Sequence, residues 1–102
     1  MTFRALARIG DTVTGTCNAH SSPRAFTATI TTGSSIATCD GLGIARIGDT
    51  GVTDCGHTIQ IVEGSTTSTV LGVGLARVGD AVIVLEGGSG VIATGSGVGA
   101  TN

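Results

Sequence analysis

The side chains in this chain best suited to chemistry are three cysteines and two histidines, arranged as Cys17-x-x-His20, Cys55-x-His57 and a separate Cys39. Thiolate sulfur and imidazole nitrogen are ligands for borderline and soft metals. Two such pairs on neighbouring loops supply four donors, the complement of a closed tetrahedral Zn²⁺ site. The competing reading makes Cys17 and Cys55 small buried hydrophobes or an adventitious disulfide, and the two histidines exposed loop residues. An odd cysteine count argues against a disulfide framework. Catalysis finds less support. There is no Gly-x-Ser-x-Gly elbow, Asp54 is the one carboxylate near enough in sequence to orient a histidine, and four protein ligands leave a metal no open position for water. No enzymatic activity is expected. The Gly-Leu-Gly at 41–43 and Gly-Val-Gly at 72–74 lack a third glycine and a following helix, so they read as turns rather than phosphate cradles.

The elements that must position these side chains are organised by an internal repeat. Residues 43–49 read Gly-Ile-Ala-Arg-Ile-Gly-Asp and residues 74–80 read Gly-Leu-Ala-Arg-Val-Gly-Asp, and residues 5–11 carry a third copy, Ala-Leu-Ala-Arg-Ile-Gly-Asp. The copies start 38 and then 31 residues apart. The Gly-Asp to Gly-Ser spacing is 15 residues in the second and third units and 22 in the first, which places an insertion in the first unit near 21–31. The units are approximately 5–42, 43–73 and 74–102, together one domain. Counting from the repeat aspartates, Cys17, Cys55 and Glu86 each stand at plus six, and His20 and His57 at plus nine and plus eight. If the units are related by rotation, the Cys/His loops meet near the axis. Cys39 takes the strand position of Val70 in the next unit and is expected to be a half-buried apolar substitute.

Each unit is expected to run Gly-Asp turn, variable loop, Gly-Ser turn, short branched strand, then an Ala-Arg-aliphatic strand. Segments 58–62, 66–71 and 81–85 have the length and glycine boundaries of strands. Arg8, Arg46 and Arg77 stand three residues before Asp11, Asp49 and Asp80, a spacing that suits local pairing and turn closure; a binding role for them is the alternative.

Composition agrees. Among 102 residues there are 18 Gly, 17 Thr, 10 Val and 9 Ile but only two Phe and no Trp or Tyr, so β-branched side chains favour an all-β fold while large core-filling groups are scarce. A thin core in so short a chain calls for a further source of stability, such as a metal. Charged residues make up 12% and apolar ones 40%, which argues against disorder. The net charge is −2 with five scattered Arg, so nucleic acid is not an expected partner. The longest apolar run, 81–85, is far too short to span a bilayer, and no apolar stretch follows Arg4 as a signal peptide would need. The expectation is a protein made in the cytoplasm and staying there unless a machine exports it.

The triple Ala-Arg-aliphatic-Gly-Asp unit, the Gly-Ser turns and the Cys/His loops together resemble the PAAR-repeat proteins. Their Pro-Ala-Ala-Arg motif corresponds to residues 5–8, 43–46 and 74–77, where the proline is absent and the second Ala and the Arg persist. The resemblance implies a small cone-shaped all-β domain of three pseudosymmetric repeats, whose base caps a trimeric β-helical spike, one tip per trimer, and whose apex holds a structural zinc ion. It implies the puncturing tip of a phage tail baseplate or a type VI secretion system, located in the virion or secreted through the apparatus. Contact with a target cell envelope would be transient, and no small-molecule substrate is implied. The usual family ligand set is three His and one Cys; here it would be Cys17, His20, Cys55 and His57. The docking base is expected near 34–39, 65–70 and 96–101, by strand addition. The other function considered is a free-standing zinc-binding interaction module.

Overall fold

The computed structural model describes residues 4–18, 22–39, 41–96 and 99–101. The fold is all-β. Its body is a closed antiparallel barrel of three hairpins, one from each repeat: β2 (Thr12–Cys17) with β3 (Arg24–Ile30), β6 (Thr50–Thr53) with β7 (Thr58–Ile61), and β10 (Ala81–Val84) with β11 (Gly88–Ile92). Three two-stranded sheets complete it: β4 (Thr38–Cys39) with β5 (Leu42–Gly43), β8 (Thr69–Val70) with β9 (Val73–Gly74), and β1 (Arg4–Ala5) with β12 (Ala100–Thr101). The third of these pairs the first strand of the fold with the last, so a join between distant segments stands where the other two units have a tight turn.

The repeated Ala-Arg segments converge on the three-fold axis. Ala7 N–H donates to Ala76 O at 3.0 Å, Ala76 N–H to Ala45 O at 2.9 Å, and Ala45 N–H to Ala7 O at 2.9 Å, closing a ring of three hydrogen bonds. These segments were expected to be strands. They instead form single bridges, Leu6 to Arg77, Arg8 to Ile44 and Arg46 to Leu75, because three segments meeting at one axis each touch both neighbours over only one residue pair. Alanine's single methyl suits the crowded centre, and all three are fully buried. The ring is a floor. Its alanines face the barrel core with Val13, Ile30, Ile59, Ile61, Val82 and Ile92, while Leu6, Ile44 and Leu75, one residue earlier in each segment, face the other way into a second apolar cluster with Ala37, Cys39 and Val70. Cys39 is thus half-buried against this second cluster as Val70 is in the next unit, in keeping with its place in the repeat.

Each Arg-aliphatic-Gly-Asp sequence forms the turn that leads from floor to barrel. Asp49 N–H donates to Arg46 O at 3.0 Å, and Gly48, third in the turn, has φ +93°, the conformation that a type II turn demands and only glycine adopts without strain. The aspartate then folds back. Asp49 accepts from the Arg46 backbone N–H at 2.8 Å and from its guanidinium at 3.0 and 3.3 Å, and Arg8–Asp11 and Arg77–Asp80 repeat the arrangement. The repeated charges therefore close turns. The bend also turns Ile47 outward rather than inward with Ala45, laying it over the backbone of Gly64 and Gly74.

Two other expectations need correction. The insertion near 21–31 is not a loop throughout: Arg24–Ile30 is a strand with Phe26, Ala28 and Ile30 buried and the residues between exposed, the period-two pattern of a half-buried strand. The added residues lengthen this hairpin beyond its two counterparts. Of the predicted strand 66–71, only Thr69–Val70 is extended. The preceding residues wrap the buried Ser65, whose Oγ accepts from Thr67 N–H at 3.1 Å and Ser68 N–H at 2.9 Å, and such side-chain capping competes with ladder formation. Ser34 repeats this on Ile36 and Ala37.

Candidate metal centre

The barrel strands leave the floor at residues 12, 50 and 81 and run to hairpin tips at the opposite end, a rise of about 16 Å over the length of β2 at the usual strand repeat. Repeat position plus six falls at these tips. Cys17 ends β2, paired with Arg24 on one side and Gly88 on the other, and is fully buried. Cys55 lies in the β6–β7 turn, where Gly56 N–H donates to Thr53 O at 3.0 Å and Gly56 has φ +87°. Asp54 N–H donates to Thr27 O at 2.8 Å, tying this turn to the first unit's hairpin.

The result is a cluster. One ligand atom each from Cys17, Cys55 and His57 lies within 4.8 Å of the others. Burial is complete for Cys17 and partial for Cys55 and His57, so the group is sheltered from bulk water but reachable. Two sulfurs and an imidazole nitrogen fit a divalent ion of zinc's softness, and no other trio of His, Cys, Asp or Glu is gathered this way among the described residues. His20, the fourth ligand expected from the sequence, lies outside the described residues. The three cysteines are unbridged.

A residue that the sequence did not single out supports the cluster from below. Thr53, buried at the end of β6, accepts from His57 N–H through Oγ1 at 2.9 Å and stands 3.1 Å from Cys55 Sγ. Thr53 thus ties the backbone of one member of the cluster to the side chain of another, fixing how His57 and Cys55 sit relative to each other. The only signal for it in the sequence is its place two residues before a repeat-phased cysteine. Glu86, noted for its repeat position alone, also arrives here: its Oε2 is 3.5 Å from His57 Nδ1.

The strongly paired charges sit at the floor, away from this cluster. Burial pushes the Asp11 carboxyl up, but hydrogen bonds from the Arg8 side chain and backbone and from Thr94, with the Arg8 charge, outweigh it and leave Asp11 below its ordinary value. Hydrogen bonding to Asp49 raises Arg46, and hydrogen bonding to Asp80 raises Arg77. No helix among the described residues is long and apolar enough to cross a membrane. No protein-family model matches the chain, and no curated protein matches it.

Proposed function

We propose that this protein is a structural spike tip that caps a trimeric β-helical spike in a contractile injection apparatus, a phage tail baseplate or a type VI secretion system, with a zinc-stapled apex. The observation that carries the reading is the ring of Ala7, Ala45 and Ala76 at the floor of the barrel. One chain there offers three equivalent faces, so a single copy satisfies a three-fold partner without itself being a trimer. Below the ring lie Leu6, Ile44 and Leu75, and around them the exposed Ile36 (67%) and Leu71 (82%), an apolar surface at the end opposite the Cys/His cluster.

Docking covers the base; the metal secures the other end. Cys17, Cys55 and His57 hold Zn²⁺, and the fourth position falls to one of two side chains on the same loops, His20 of the first unit or Glu86 of the third. A bound ion ties hairpins from different repeats together where few large side chains are available, so the tip resists local opening when it is driven against a cell envelope. No reaction is assigned to it.

Mixing the protein with a trimeric β-helical spike fragment and measuring the mass of the complex tests the assignment. One tip bound per three spike chains supports it. Absence of association with such fragments from both phage and secretion sources overturns it and leaves a free-standing zinc-binding module. Elemental analysis of the purified protein tests the metal separately.

A further inference from the structure

We infer that Glu86, rather than His20, completes the metal site, so that the third repeat contributes a carboxylate where the first two contribute thiolates. The inference rests on the zinc reading above and concerns which side chain closes the coordination.

Three observations converge on Glu86. Its repeat position is that of Cys17 and Cys55, six residues after the unit's aspartate. The backbone repeats too: Gly87 N–H donates to Val84 O at 2.9 Å as Gly56 N–H does to Thr53 O, and Gly87 has φ +127° beside +87° at Gly56. Glu86 is therefore the third residue of the same four-residue turn in which Cys55 is third. The turns are likewise cross-tied, Leu85 N–H donating to Thr58 O at 3.0 Å as Asp54 N–H donates to Thr27 O. A three-fold arrangement that brings Cys17 and Cys55 together brings the Glu86 backbone to the same end of the axis.

The third observation is a distance. Glu86 Oε2 and His57 Nδ1 are 3.5 Å apart, long for a hydrogen bond between these atoms. Two ligands on one tetrahedral ion, each at about 2.0–2.2 Å, stand about 3.3–3.6 Å apart. The pair has the separation of neighbouring ligands when Nδ1 coordinates; Glu86 stands outside the group formed by Cys17, Cys55 and His57, so its half-exposed side chain turns in toward the sulfurs when the ion binds. Two thiolates, one imidazole and one carboxylate give the zinc-bound centre a net charge of −1, and each repeat then supplies at least one ligand.

Co²⁺ uptake by the intact protein, read by its visible and near-ultraviolet absorption, tests the inference. The wild-type chain should give a tetrahedral d–d envelope with thiolate charge-transfer bands. Glu86→Ala should weaken Co²⁺ binding at least tenfold and shift the d–d envelope toward higher coordination by water. Glu86→Cys should restore tight binding and raise thiolate charge-transfer intensity in the ratio three to two. His20→Ala should leave affinity and spectrum unchanged within threefold. A tetrahedral spectrum and affinity that survive Glu86→Ala but are lost in His20→Ala overturn the inference while leaving the metal site standing. No uptake of Co²⁺ or Zn²⁺ by the wild-type chain overturns the metal reading itself.

Discussion

Arg4 donates to the buried carboxylate of Asp80 across 2.9 Å, joining the first strand of the fold to the last of the three turns. Asp80 is fully buried and also receives the Arg77 guanidinium at 2.8 and 2.9 Å. The other two units have a hydroxyl in place of this arginine: Thr94 donates to Asp11 and Thr32 to Asp49, each at 3.0 Å. The equivalent third residue is Glu63, which accepts from Ala81 N–H at 3.0 Å as Thr94 accepts from Thr12 N–H and Thr32 from Thr50 N–H, each across a unit boundary, but an ionised carboxylate has no proton for Asp80. Arg4 supplies the missing donor. Arg4→Ala should therefore destabilise by about 2 kcal/mol, since it strips a partner from a buried charge. In a Glu63→Thr background the same change should cost less than about 1 kcal/mol, and equal losses in both backgrounds, by denaturant unfolding, would refute the compensation.

Acid should act through Asp11. Its carboxyl lies lower in the folded chain than in the unfolded one, so the stabilisation it brings is complete above the unfolded value and is lost as pH falls through the folded value. Melting temperature should hold down to about pH 4 and fall below it. Thr94→Val removes one of the hydrogen bonds that hold the carboxylate down and should move the Asp11 midpoint upward in a carboxyl NMR titration, lowering stability at neutral pH and shrinking the part of it that acid removes.

Leu71 carries φ +53° at the tip of the β8–β9 hairpin, next to Gly72 at +81°. A leucine in the left-handed region costs about 1–2 kcal/mol, and this one recovers little by burial. Leu71→Asn should stabilise the isolated protein by about 0.5–1 kcal/mol and leave metal content unchanged. If Leu71 contacts the spike, the same variant should bind the trimer more weakly, which isothermal titration would register.

Removing the proposed metal should be felt throughout the barrel. Cys55→Ser, or a chelator on the wild-type chain, should lower the melting temperature by about 15 °C, corresponding to roughly 3 kcal/mol in a domain of this size. The chelator should have no further effect on Cys55→Ser. A melting temperature indifferent to both treatments would exclude a structural ion.

The sequence made the repeat and its turns readable because their chemistry is local. A glycine with positive φ, an aspartate three residues after an arginine and a short glycine-bounded strand leave their marks within one segment, as Gly48, Asp49 and Ile59 do, whereas the strand around Phe26 was not expected inside the insertion. The ring of Ala7, Ala45 and Ala76 was not readable, since nothing in one copy of the motif says that it will meet the other two at a single point. The Cys17, Cys55 and His57 cluster lies between these cases: repeat phase put the residues on equivalent tips, but their separation depends on how tightly the barrel closes. Thr53 and the compensation between Glu63 and Arg4 depend on contacts across elements, so neither could be read from any one segment.

The pairing of β1 with β12 sets the order in which this protein can be made. Arg4 lies opposite Thr101, so one side of the three-fold frame joins residues 97 positions apart, while the corresponding sheets of the other units close over a few residues. Loop closure of that length is slow and offers no reward until both strands are present. On a ribosome the hairpins of the first and second units can form while the chain is still growing. The frame can complete its third side only after residues 100–101 have emerged, and until then Arg4 and Ala5 lack the strand they pair with. The local hairpins of this fold can thus precede the one pairing that spans nearly all of it.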